Sequence, residues 1–369
     1  MKITLGEVGT YINGYAFKPS DWGTSGLPII RIQNLTNQNT EPNYFDGPYN
    51  SKFEVNKGDI LIAWSGSLGI HIWQKNKALL NQHIFRVEFN KCDIDKMYFY
   101  YAVKHNIHKM LHLTHGATMR HIIKSDFEQI IIPYPRLEAQ SKISKVLYYL
   151  DQNIINYRNI LIKLELLIKS RFVEMFGDPN ASRTKYKLVP IHMVTDCMVP
   201  GRDKPKSFTG EIPWITINDL NVNGYTNKSK LGLGLTIDEV KEVNRKCVPQ
   251  GSVLMSCVGN LGLCSIASVD VVINQQLHSY QCNEFINNLY LMYYLSFKNT
   301  YMNKIASSTT VLYMNKNACN NIPVLLPPID LQISFAKYLN QINKLKSDVQ
   351  KSIDETQLLM DSLMQEYFG

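Results

Sequence analysis

The stretch Ile131–Leu150, IIPYPRLEAQSKISKVLYYL, has a second version at Pro323–Ile342, PVLLPPIDLQISFAKYLNQI. One offset of 192 residues relates the two and runs without a gap from Thr118 onward. It pairs Thr118 with Thr310, Lys124 with Lys316, Ile130 with Ile322, Pro135 with Pro327 and Gln140 with Gln332. Further along it pairs Lys145 with Lys337, Leu147 with Leu339, and Glu174, Phe176 and Gly177 with Glu366, Phe368 and Gly369. Repeats of this length are too large for a solenoid, so they read as two homologous domains.

Upstream of the Pro-containing corner the correspondence continues with small shifts. LPIIRIQNL from Leu27 matches IPWITINDL from Ile212, and VNKGDILIAWSGSLG from Val55 matches VPQGSVLMSCVGNLG from Val248. LNQH from Leu80 matches INQQ from Ile273. Short apolar runs with β-branched residues and Gly breaks predict strands of a mixed sheet, with helices over 96–113 and 287–305.

Downstream of the corner the period changes. Ile143, Leu147, Leu150, Ile154, Tyr157, Leu161, Leu164, Ile168 and Met175 recur in steps of four and three, with Arg171 in one slot. The second copy keeps the register at Phe335, Leu339, Ile342, Val349, Ile353, Met360, Leu363 and Tyr367, interrupted by Lys346 and Thr356. This is a heptad seam. At 1.5 Å per residue each helix would run about 58 Å, longer than such a domain is wide, so mutual packing is favoured over packing on its own sheet. Approximate two-fold symmetry between the halves makes the pairing antiparallel. The expected fold is α+β: two homologous mixed α/β domains, each followed by a long helix, the helices forming an antiparallel coiled coil. The expected boundaries are 1–135 and 187–327 for the domains, 136–177 and 328–369 for the helices, and 178–186 for a polar linker.

Composition narrows the function. A chain of 369 residues, 45% hydrophobic and 19% charged, is that of a folded protein. No apolar run reaches the ~18 residues of a membrane span, and MKITLGEVGTY lacks a signal-peptide core, so the expected location is the cytoplasm. The seven cysteines contain no CxxC pair, which points to reduced thiols. A net charge of +8 permits a nucleic-acid partner without requiring one. Phosphate-loop, HExxH and GxSxG motifs are absent, as is the [DNS]PP[YFW] tetrapeptide of amino-methyltransferases. The GSLG and GNLG turns lack a full dinucleotide fingerprint. His105, His108, His112 and His115 fall near one helix face, but their counterparts are Phe297, Thr300, Lys304 and Ser307, and no carboxylate or thiolate accompanies them. A polar helix face is the better reading, and no metal site is assigned. The chain reads as a binder, not an enzyme.

A domain closing on PYPRLEAQSKI or LPPIDLQISF, then a long helix ending RFVEMFGDP or LMQEYFG, resembles the specificity subunits of type I restriction-modification systems. So do KGDILIAWSGSLG and NQH. The resemblance covers nearly the whole chain. It departs at Ser308–Thr309–Thr310, where the first half has Gly116–Ala117–Thr118. It implies two target recognition domains, each reading half of a split, asymmetric DNA sequence, with the paired helices as a ruler. It further implies two methyltransferase subunits carrying S-adenosylmethionine, and leaves open whether restriction subunits using ATP and Mg join them or the complex only methylates; this chain would bind none of these cofactors. The alternatives are a stand-alone sequence-specific DNA-binding protein and the recognition subunit of a fused methylase-nuclease system.

Reading bases needs side chains on groove-facing loops, with cations to fix register on the phosphates. The candidates in the first half are Lys18, Arg31, Gln33, Asn34, Ser65, Ser67, Thr118, Arg120 and His121. In the second they are Arg202, Lys204, Lys206, Thr216, Asn218, Asn260, Thr310, Tyr313 and Asn315. GRDKPK (201–206) is the strongest group, since alternating cations beside Gly and Pro suit a loop that tracks phosphates.

Overall fold

A computed structural model of the chain describes residues 1–37, 39–112, 121–181, 183–201, 203–308 and 311–369, side chains at 108–112 and 308 aside. Contacts divide it into two compact units, Met1–Asn159 with Gln350–Gly369, and Ile160–Val349. No described helix is long and apolar enough to cross a membrane. All seven cysteines are free thiols.

The first unit is built on two four-stranded sheets. One has the order Thr10–Asn13, Ile84–Glu88, Ile60–Ala63, Gly69–Ile72, all antiparallel. The other has the order Asn43–Phe45, Leu27–Ile30, Ala78–Leu80, Glu54–Val55. Its central pair is parallel, with Ile29 opposite Leu79 and Ile30 opposite Leu80. Lys2–Thr4 pairs with Ile131–Pro133, so the domain's first strand closes on the strand just before the corner.

The second unit repeats this plan. Thr195–Met198, Leu277–Cys282, Val253–Ser256, Cys264–Ala267 and Tyr225–Thr226 form one sheet, and Gly234–Leu235, Ile212–Ile215 and Val272–Ile273 the other. Trp214 lies opposite Val272 and Ile215 opposite Ile273, again in parallel. Leu188–Pro190 closes on Pro323–Leu325. The helix expected over 287–305 is two helices, Asn288–Phe297 and Asn299–Ile305. They break at Lys298, which is buried and donates from Nζ to the Pro179 carbonyl at 2.7 Å. That bond pins the linker to the second domain.

Both long helices have 40 residues, Leu137–Phe176 and Ile329–Phe368. Each begins within two residues of a proline, Pro135 in the first and Pro328 in the second, and a proline restricts the residue before it to extended backbone. Gly177 ends the first at φ +85°, a left-handed position that suits glycine. The corners are locked alike. Gln140, fully buried, accepts from the Asp95 amide at 2.9 Å and donates to the Pro135 carbonyl at 2.8 Å. Gln332, equally buried, accepts from the Asn287 amide at 2.8 Å and donates to the Pro327 and Phe285 carbonyls at 2.8 and 3.1 Å.

The helices pair antiparallel. In the second unit Phe172 and Phe176 pack on Phe335, with ring centres 5.3 and 5.5 Å away, while Glu165 forms an ion pair with Lys346. In the first, Leu147 and Ile154 are buried, and Asp151–Arg158 faces Gln357–Gln365 across a cleft. The seam positions are the sheltered ones along most of each helix. Over the last turns, however, burial follows steps of four: Ile168, Phe172 and Phe176, and Met360, Met364 and Phe368. A heptad reading misses Phe172, Phe176, Met364 and Phe368, because these helix ends also pack on a domain, Phe172 and Phe176 on Tyr290 and Phe368 on Tyr98.

Candidate nucleic-acid interface

Each domain brings two polar segments together at the end of its parallel strand pair. In the first, the Asn81 amide donates to the Ile30 carbonyl at 3.3 Å, setting Asn81–Gln82–His83 beside Arg31–Ile32–Gln33. In the second, the Asn274 amide donates to the Ile215 carbonyl at 3.0 Å, setting Asn274–Gln275–Gln276 beside Thr216–Ile217–Asn218. Both NQ segments stand out in the sequence as part of the repeat, and none of their residues is among the candidates drawn from it. Their position carries a signal: polar residues ending a buried apolar strand have backbone partners in the sheet but side chains at its edge.

A third segment joins them. The Trp64 amide donates to the His83 carbonyl at 3.2 Å, and the Cys257 amide to the Gln276 carbonyl at 2.9 Å. These bonds bring the GSLG and GNLG turns against the NQ segments. Each turn then meets the loop ahead of its corner through an isolated bridge, Ser65 with His121 and Val258 with Tyr313. Gly66 and Gly259 sit at φ +67° and +71° with open space where a Cβ would be, so the turns are exposed and specifically need glycine.

The side chains on this shared frame differ. In the first domain Arg31, Gln33, Asn81, Gln82 and His83 line a hollow of about 280 Å³ together with Phe17 and Trp22. Arg31 lies 4.7 Å over the Trp22 ring, which orients its fork without cancelling its charge. His83 packs on Trp64, with ring centres 5.3 Å apart, and burial holds its pKa down, favouring the neutral ring. In the second domain the Asn274 and Gln276 side chains bond each other at 3.0 Å. Lys230 reaches across to the Asn218 carbonyl at 2.5 Å.

The remaining candidates divide by what their side chains do. Lys18, Gln33, Ser67, Lys204, Lys206, Asn218, Asn260 and Tyr313 are exposed. Asn34 is buried, capping Arg31 at 3.0 Å and bonding the Thr40 carbonyl at 3.1 Å. Ser65 is buried as well. Thr216 donates its amide and hydroxyl to Asp219 at 2.8 and 2.7 Å. Burial works to raise the Asp219 pKa, but bonds from Thr216, the Lys230 amide and Ser229 outweigh it and hold the carboxyl low. Asn315 is exposed and caps the helix Lys316–Asn320 through the Ala318 amide at 2.8 Å. Thr118, Arg120, Arg202 and Thr310 lie outside the described residues, as do His115 and the side chains of His108 and His112. Among the described residues no three His, Cys, Asp or Glu side chains group as metal ligands.

The family model of the type I restriction modification DNA specificity domain matches residues 1–166 and 199–356. The chain belongs to this family. The EcoBI specificity subunit of Escherichia coli is 28% identical over 149 residues, 40% of this chain and 31% of that protein. The MjaVIII specificity subunit of Methanocaldococcus jannaschii is 33% identical over 122 residues, 33% of this chain and 28% of its own length. The chain thus spans about a third of the length of these two relatives. The fold is shared with the crystal structure of a type I restriction-modification S subunit from M. genitalium, at a TM-score of 0.62 and 14% identity, covering 100% of this chain and 96% of that one. Membership favours the specificity-subunit reading over a stand-alone DNA-binding protein. The two matched stretches, 1–166 and 199–356, each contain one of the two frames.

Proposed function

We propose that this chain is the DNA-reading subunit of a type I restriction-modification methyltransferase, working in the cytoplasm. Each domain reads one half of a split target through its NQ segment, strand-end segment and glycine turn. The paired helices hold the two readings at a fixed spacing. The observation that carries the proposal is one backbone frame used twice with different side chains: Gln33 and His83 in one domain, Asn218 and Gln276 in the other. A symmetric reader would keep the side chains the same; an asymmetric one needs them to differ.

Catalysis would belong to partners. Two methylase subunits would supply S-adenosylmethionine and act on adenine, and restriction subunits would add ATP-driven, Mg-dependent cleavage. Exposed apolar residues on the first long helix favour such docking: Tyr148, Tyr149 and Ile155 in the first unit, Ile162, Leu166 and Val173 in the second. Solvated helices rarely expose so many large apolar side chains together.

The test is methylome sequencing of cells expressing this chain with its methylase. A two-part adenine-methylation motif with an unspecified gap is expected. Replacing residues 1–135 with the matching domain of another family member should alter one half of the motif only. A single continuous motif, or loss of both halves' identity on that swap, would refute the two-headed reading.

A further inference from the structure

The basic loop of the second domain, residues 203–209, is tied down from two sides. At its start Arg245 is buried under the Trp214 ring at 4.8 Å. It donates from Nη2 to the Asp203 carbonyl at 2.7 Å and from Nη1 to the Ile273 carbonyl at 2.8 Å. Ile273 immediately precedes Asn274–Gln276, so one guanidinium links the loop to the polar frame. Near its end Glu239, on the helix Ile237–Glu242, accepts from the Ser207 hydroxyl at 2.5 Å and the Thr209 hydroxyl at 3.0 Å. The Thr209 amide adds bonds of 3.2 and 3.3 Å to the two carboxylate oxygens. The same carboxylate caps its own helix through the Thr236 amide at 2.8 Å. Between the anchors lie Lys204, Pro205 and Lys206, with both lysines exposed. The corresponding KPSDW turn of the first domain closes locally, its Lys18 amide donating to Asp21 at 2.7 Å.

An acidic side chain beside a cationic DNA-facing loop would weaken phosphate binding if its charge acted alone. Here the carboxylate's oxygens are occupied by donors from the loop and the helix end. Its role is therefore geometric. We propose that Glu239 is a positioning residue for DNA binding: it holds Lys204 and Lys206 where they meet the phosphates flanking the half-site that faces Asn274–Gln276. The inference rests on the DNA-reading function proposed above. The Ser207 hydroxyl first, then the Thr236 amide and Thr209, hold the Glu239 carboxyl down at about 2, so the anchor stays charged throughout the pH range of duplex DNA.

The test uses the full chain in its methylase complex and a fluorescent duplex carrying the methylated motif, with affinity measured across salt concentrations. The reference variant Lys204→Ala/Lys206→Ala should flatten the slope of log affinity against log salt by about 2, near 0.9 per phosphate contact. Glu239→Ala should reproduce most of that flattening and weaken binding, although removing an anion would by electrostatics alone tighten it. Glu239→Gln keeps an acceptor oxygen and should restore most of the slope. Ser207→Ala/Thr209→Val cuts side-chain bonds on the loop side while sparing the Thr236 cap, and should also flatten the slope, which separates loop placement from helix damage. A flattened slope in the lysine variant with unchanged slopes in the Glu239→Ala and Ser207→Ala/Thr209→Val variants refutes the positioning role while leaving DNA reading intact. Wild-type behaviour of the lysine variant removes both this loop's phosphate role and the proposal.

Discussion

Phe368 packs on Tyr98 with ring centres 5.1 Å apart, and Phe176 packs on Tyr290 at 4.8 Å. These are the same contact under the 192-residue offset, and in each the phenylalanine ends the long helix that began at the other domain. Each domain's core is thus completed by the helix of its partner repeat. Phe176 is fully buried and Phe368 nearly so. Removing a buried phenylalanine typically costs about 3–5 kcal/mol. Phe368→Ala and Phe176→Ala should therefore each lower the melting temperature markedly. Calorimetry should show the loss in a transition assigned to the first unit for Phe368→Ala and to the second for Phe176→Ala; the reverse assignment would contradict the exchange.

The corner glutamines make an ordered pair of predictions. Gln332 satisfies one amide and two carbonyls, Gln140 one amide and one carbonyl. Each buried group left without a partner costs about 1–3 kcal/mol. Gln332→Leu should destabilise more than Gln140→Leu in urea unfolding, and equal or inverted losses would show that these bonds do not set the corner's stability.

His278 gives the second unit an acid-sensitive element. It is buried against Tyr280 with ring centres 4.8 Å apart. Burial, opposed by the neighbouring Asn320 carboxamide and aided by the Lys316 charge, pulls its pKa down from 6.5 to about 4. The folded pKa lies below the unfolded one, so the folded state resists protonation. Stability is full above about pH 6.5 and falls as pH drops toward 4, by about 3 kcal/mol in all. A His278→Gln variant should have a shallower pH–stability profile across that window. A profile parallel to wild type would place the acid sensitivity elsewhere.

Gly177 needs its left-handed backbone and has open space around the missing Cβ. Gly177→Ala should cost about 1 kcal/mol from backbone strain alone, and Gly177→Asn less, since Asn visits that conformation more readily. Thermal melts of the two variants compare them directly, and an Ala variant as stable as the Asn one would count against this account.

Base reading should divide by domain. Gln82→Ala/His83→Ala should relax one half of the methylation motif, and Gln275→Ala/Gln276→Ala the other, each by about 1–3 kcal/mol of discrimination per lost base contact. Methylome sequencing of the two variants checks it, and relaxation of the same half by both would undo the assignment.

The linear order of residues carried the duplication, the corner and the heptad seam, because each is a local or periodic pattern. Ile143 through Ile168 and Phe335 through Leu363 could be placed on a helix face from spacing alone. The candidate interface was only partly legible. Arg31 and Gln33 were visible as polar residues after a strand, but Asn34 and Thr216 look identical in sequence and spend their side chains on internal caps. Nothing local marks Gln82, His83, Glu239 or Arg245, since the segments they stand beside lie far along the chain.

By itself, then, the sequence determined that two homologous domains each end in an amphipathic helix. Hydrophobic period and repetition are properties of neighbouring residues, readable without coordinates. Only the tertiary structure decided which phenylalanine fills which domain, which strand end stands beside which NQ segment, and what fixes the basic loop. Those outcomes depend on backbone hydrogen bonds and ring packing between segments distant in sequence, and a sheet register one residue away would turn every one of those side chains to the opposite face.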